Sequence, residues 1–150
     1  MAFVIGAVFT MIPSGFLADR FSSRAVILYS TLVGMVLFYV FLMVPQLSTI
    51  YLLPLLFASG ASLAIAQPLS VALGNILGKK NPGMASAFTM GLVWCVSETV
   101  GPAGAGLLSK VFSSDGPAKA LMVLGCLLIL MLYAVYRLPA KDAEPLLEQA

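Results

Sequence analysis

The chain is short of charge and has no histidine. Charged residues make up 9% of its 150 positions, where a soluble domain carries about a quarter. That shortage excludes an ordinary water-soluble globule. The missing histidine, with only two cysteines, removes both a metal framework and a disulfide argument. Cys95 and Cys126 lie inside apolar runs, where a thiol behaves as a small hydrophobe. No basic block exists and the net charge is only +2, so nucleic acid is not an expected partner. No two carboxylates share a span. Gly101, Gly104 and Gly106 sit in an apolar run and not after a strand, so they are no nucleotide fingerprint. The chain reads as neither an enzyme nor the holder of a metal or other cofactor.

What is present is apolar sequence, 61% of the chain, gathered into runs close to the ~20 residues that cross a bilayer. The runs cover about 1–18, 25–44, 50–77, 84–108 and 118–136. Each must be helical, because a backbone in lipid has to satisfy its own hydrogen bonds. The expected fold class is therefore all-α, a polytopic membrane bundle of five transmembrane helices over 1–137 followed by a polar tail, 138–150. Ser48 and Thr49 offer N-cap hydroxyls, residues 78–83 read as a turn, and Pro117 suits a first helical turn. The first run, at about 27 Å, is slightly short for a ~30 Å core, as if a helix had been cut.

Orientation follows from the basic residues. Arg20, Arg24, Lys79, Lys80, Arg137 and Lys141 fall on one side, Lys110 and Lys119 on the other. The positive-inside rule places the first group, and the C-terminus, in the cytoplasm.

Glu98 is the one charge well inside a span. A carboxylate there costs several kcal/mol, at least about 2.5, which marks it as a proton-coupling or substrate site; the bland alternative is a structural glutamate bonded to a facing helix. Gly91, Trp94, Cys95, Gly101, Pro102 and Ala105 share its stripe at helical spacing. Small residues admit a close neighbour, so the stripe is expected to face protein or a water cavity. Pro102 lacks an N–H and leaves the Glu98 carbonyl without its usual donor. Gln67, beside Pro68 in a run of small residues, is the second candidate, and Trp94 the third, as a cavity-lining ring. Pro68, Gly101 and Pro102 are expected to interrupt their helices.

The stretch Gly15-Phe16-Leu17-Ala18-Asp19-Arg20-Phe21-Ser22-Ser23-Arg24 resembles the cytoplasmic signature loop of the major facilitator superfamily, Gly-x-x-x-Asp-Arg/Lys-x-Gly-x-Arg/Lys. Gly15, Asp19, Arg20 and Arg24 match; Ser22 replaces the usual glycine and Ser23 the frequent arginine. The resemblance implies a conformational latch, in which the aspartate meets the end of a neighbouring helix and the basic residues pair with acids. A plain positive-inside anchor is the simpler alternative. A weaker match, Gly101-Pro102-Ala103-Gly104-Ala105-Gly106, looks like the Gly-Pro-x-x-Gly-Gly signature of drug/proton antiporters.

Five spans fit helices 2–6 or helices 8–12 of such a transporter. The absence of charge in 50–77, where the first placement needs an arginine, and the short tail favour 8–12. The region 79–108 is similar to drug-efflux members of the fosmidomycin-resistance type. The resemblance thus implies a partial major-facilitator half: part of a secondary active transporter, a proton-coupled antiporter exporting a small-molecule substrate by alternating access. The proton gradient would supply the energy, the missing N-terminal half would be the partner, and the inner or plasma membrane the location. The competing reading is a non-transporting or degenerate membrane subunit.

Overall fold

The computed structural model describes residues 1–44, 46, 48–78, 80–112 and 116–137; the expected tail 138–150 lies outside them. All regular structure among these residues is helical: α1 (Ala2–Arg20), α2 (Ser23–Met43), α3 (Thr49–Ala64), α4 (Ala66–Leu77), α5 (Pro82–Ala87), a π-helical segment (Phe88–Leu92), α6 (Val93–Val111), α7 (Gly116–Gly125) and α8 (Leu127–Tyr136).

Four runs are long and apolar enough to cross a membrane: Ala2–Arg20, Ser23–Met43, Thr49–Ile76 and Gly116–Tyr136. The fifth expected span corresponds to α5, the π segment and α6, helical without a gap over 82–111. It is the least apolar, because Glu98, Lys110 and many small residues dilute it.

The helix ends follow local chemistry. α1 stops where Phe21 turns extended (φ −126°, ψ 159°). Ser22 then caps α2, its Oγ accepting the Ala25 N–H at 3.2 Å, so the expected turn over 19–24 narrows to two residues, with Asp19, Arg20 and Arg24 all on helices. Ser48 occupies the N-cap of α3 without a side-chain cap bond; its carbonyl takes the N–H groups of Tyr51 and Leu52 instead. The helical pattern breaks at Ile65, whose backbone stays helical (φ −56°, ψ −35°). Pro68, three residues on, has no N–H to offer the Ala64 carbonyl.

Two compact units are present: Met1–Leu69 with Ile129–Ala150, and Ser70–Leu128. In the first, α1 and α2 both pack on α3. Its interior mixes aliphatic side chains, among them Val26, Ile27 and Leu42, with small polar ones. Ser14, Thr31 and Ser59 are essentially inaccessible, whereas Val8, Phe9, Ile12 and Phe16 are exposed, the pattern of helices whose apolar side chains face lipid. At the α1–α3 crossing a Cβ on Gly6 would overlap the Phe57 carbonyl, and one on Gly60 the Phe3 carbonyl. Backbone therefore lies against backbone. Thr10 bonds across it, its hydroxyl 2.8 Å from the Ala61 carbonyl.

Ile27, Thr31 and Gly34 form the buried face of α2, with Leu63 against Gly34. Thr31 Oγ1 is buried there without a hydrogen-bond partner among the described residues. An unmet hydroxyl costs ~1–3 kcal/mol, so Thr31→Val should stabilise the chain by about 1 kcal/mol. Thermal unfolding in one fixed detergent checks this; an unchanged or lower midpoint would contradict it.

In the second unit α6 packs on α7. Asn75 Oδ1 accepts the Ser86 hydroxyl at 2.6 Å, and Thr89 and Ala85 lie against Gly74 and Gly78. These contacts join the end of α4 to the helix that follows the 78–81 turn.

Candidate functional site

The candidate residues fall mainly into two groups, one in each unit. In the first, Asp19 and Arg20 end α1 and are exposed, while Arg24 lies half-buried on the first turn of α2. Arg24 reaches α8. Its Nη2 donates to the Tyr136 carbonyl at 2.5 Å, and its guanidinium stands 5.3 Å from the centre of the Tyr136 ring. That carbonyl belongs to the last turn of α8, where carbonyls lack an intrahelical donor and the helix dipole is negative. Arg137 folds back on Tyr133, with Nε and Nη2 at 3.0 and 2.6 Å from the hydroxyl.

The resemblance implied that the aspartate of the loop meets a helix end. Here Arg24 does so, and no ion pair to Asp19 is present among the described residues. Ser22, in the usual glycine's place, has ordinary dihedrals (φ −62°, ψ 135°), so this turn makes no demand for glycine. Among the described residues, nothing beyond α1's own backbone comes within 4 Å of where a Cβ on Gly15 would stand.

The second group lies on α6. Glu98 and Trp94 are exposed, as is every residue from 91 to 100. The glycines of this helix meet no neighbour among the described residues: a Cβ at Gly91, Gly101, Gly104 or Gly106 would find nothing of them within 4 Å. Ser97 and Thr99 bond back to the Trp94 and Cys95 carbonyls at 2.8 Å each, which spends their hydroxyls within the helix.

The interruption expected at Gly101 and Pro102 lies elsewhere. α6 runs unbroken through both, and the irregular turn is the π segment at Phe88–Leu92. A proline deletes one helical bond, and a membrane helix tolerates this where local adjustments satisfy the freed carbonyl.

Gln67 is half-buried at the start of α4, in the first unit; Glu98 and Trp94 belong to the second. Sequence reasoning missed the Arg24–Tyr136 bridge, which joins residues 112 apart. It also missed the close packing of Gly6 on the Phe57 main chain and of Gly60 on the Phe3 main chain. For the latter a signal existed, since Gly6, Thr10 and Ser14 repeat small residues every fourth position, a helix-packing pattern. Among the described residues no three His, Cys, Asp or Glu cluster as a metal site would require.

Compared with known families, the chain matches the model of the Major Facilitator Superfamily over residues 1–150. The chain belongs to this superfamily. It is accordingly a multi-pass membrane protein of transporter type, and its helical runs are consistent with the superfamily's helical bundle. Comparisons with curated proteins and with solved structures returned no match. In this superfamily chain, the loop that resembles the signature is built as a two-residue link with an arginine on a helix end, and the span with the carboxylate presents a bare face.

Proposed function

We propose that the chain is the C-terminal part, helices 8–12, of a proton-coupled transporter that exports a small molecule by alternating access, with Glu98 as its proton site. The observation that carries the reading is Glu98 itself. It is a lone carboxylate within a span, on a helix face where the described chain packs nothing against Glu98 or the nearby glycines. Such a face suits a neighbour outside this chain, for which the transporter's N-terminal half is the natural candidate, or a water-filled path. A charge left to lipid would be costly, and intramembrane carboxylates serve proton relays.

Trp94, one helical turn before Glu98, would line the same path, with Gln67 a second polar contact for substrate. Asp19, Arg20 and Arg24 would act on the balance of inward- and outward-open states and not on substrate. The positive-inside rule supports a cytoplasmic C-terminus in the inner or plasma membrane. The antiporter direction rests on the likeness of residues 101–106 to the antiporter signature.

The test uses everted vesicles holding the complete transporter, acidified inside, with an acridine dye reporting the pH gradient. A transported compound collapses the gradient in the parent. Glu98→Gln should abolish that collapse, leaving less than about a tenth of it. Unchanged proton release from Glu98→Gln vesicles would refute the proton-site assignment.

A further inference from the structure

Between α2 and α8 runs an open groove of about 700 Å³, lined by Ser22, Arg24, Ala25, Leu28, Tyr29 and Leu32 on one side. Ile129, Leu132, Tyr133 and Tyr136 line the other. Its size falls within the ~300–1,000 Å³ of small-molecule sites, but its chemistry is graded along its length. One end holds a guanidinium and tyrosines. The other is aliphatic, lined by Leu32 and Ile129.

The dimensions say what fits. From Ser22 to Leu32 the helix rises about 15 Å, which is half of a ~30 Å hydrocarbon core. The groove therefore reaches from one membrane surface to the midplane, the depth of a single leaflet. A water-soluble ligand has no use for such a slot, whereas an acyl chain matches it in length and polarity.

The charged end is complementary to an anion. Arg24 spends one N–H on the Tyr136 carbonyl, and a guanidinium has five. The remaining donors of this half-buried side chain can take a phosphate oxygen in the forked geometry that favours arginine. Arg137, held on the Tyr133 ring at 5.1 Å, and Arg20 at the end of α1 add positive potential; Asp19, beside it on α1, is the described acid there. Tyrosines at the headgroup level complete an interfacial site, and basic recesses between transmembrane helices are suited to anionic headgroups.

We propose that this groove binds one anionic phospholipid, its acyl chain lying between α2 and α8 and its phosphate on Arg24. The lipid would fill the space between two helices that Arg24 bridges at their charged ends. This inference needs only that the helices span a membrane, and stands apart from the choice of coupling ion.

The experiment is native mass spectrometry of the purified full chain in detergent, titrated with dioleoylphosphatidylglycerol or dioleoylphosphatidylcholine. The parent should retain one phosphatidylglycerol with about tenfold preference over phosphatidylcholine. Arg24→Gln should erase the preference, and Leu32→Trp, which fills the deep end without touching the charge, should weaken retention of both lipids. Equal retention of the two lipids by the parent would overturn the proposal, and this comparison stands even if a variant fails to fold. A preference that survives both substitutions would also overturn it. So would displacement of phosphatidylglycerol by inorganic phosphate alone, which would mark a simple anion site, or a lipid-independent dimer cross-linked through Leu32.

Discussion

Gly60→Val should dismantle the first unit. A Cβ at Gly60 would overlap the carbonyl, carbon and Cα of Phe3, and Gly6 stands in the same relation to Phe57. Forcing methylenes into packed side chains costs ~1–3 kcal/mol; here the obstacle is main chain, which has no rotamer to yield, so α1 and α3 must separate along their length. The expected loss is at least about 3 kcal/mol, a change of more than roughly a hundredfold in the folded-to-unfolded ratio. The Thr10 bond cannot compensate, since interhelical hydrogen bonds in membranes average ~0.6 kcal/mol. Thermal unfolding and size exclusion in detergent would show the loss. Gly15→Ala, at a position with open space around it, supplies the comparison. A Gly60→Val chain as stable as Gly15→Ala would disprove the crossing.

A second large effect is expected at Gly116, where α7 begins. Its missing side chain leaves room for the Ser109 main chain, and a Cβ there would overlap the Ser109 carbonyl. Gly116→Val should push α6 and α7 apart at the turn, costing about 3 kcal/mol by the same reasoning. Gly106→Ala should have the opposite sign. That glycine meets nothing, and alanine is favoured over glycine within a helix by ~1 kcal/mol. Measured by the same unfolding assay, two changes ten residues apart should therefore move the midpoint in opposite directions. Movement in the same direction would show that the α6–α7 hairpin is packed differently.

Legibility from sequence followed the range of the interaction. Composition and run length gave the helical membrane bundle, because the demand for internal hydrogen bonding in lipid is local to each span. The turns around Ser22 and Asn81 were readable because turn formation depends on a few adjacent residues, whereas the capping hydroxyl is that of Ser22 and not the expected one of Ser48. The contact of Gly6 with Phe57 and that of Arg24 with Tyr136 depend on which helices become neighbours; the spacing of Gly6, Thr10 and Ser14 marks a packing face but does not name its partner. Pro102 misled for a related reason. Its chemistry makes a break possible, but whether a helix breaks is decided by what satisfies the freed carbonyl. The carboxylate at Glu98 was conspicuous in sequence, whereas the bareness of its surroundings emerged only from the folded chain.

The π-helical segment at Phe88–Leu92 works as an angular offset. From Ser86, whose hydroxyl bonds Asn75, to Glu98 is twelve residues. In an unbroken α-helix that count would rotate Glu98 about 120° away from Ser86. The wider turn takes up one residue and removes roughly 100°, which returns the carboxylate to the Ser86 side. Trp94, Gly101 and Pro102 turn with it as one block. The azimuth of these groups is thus written into the winding of the five-residue segment that precedes α6, and a single inserted or deleted residue there would aim every one of them elsewhere.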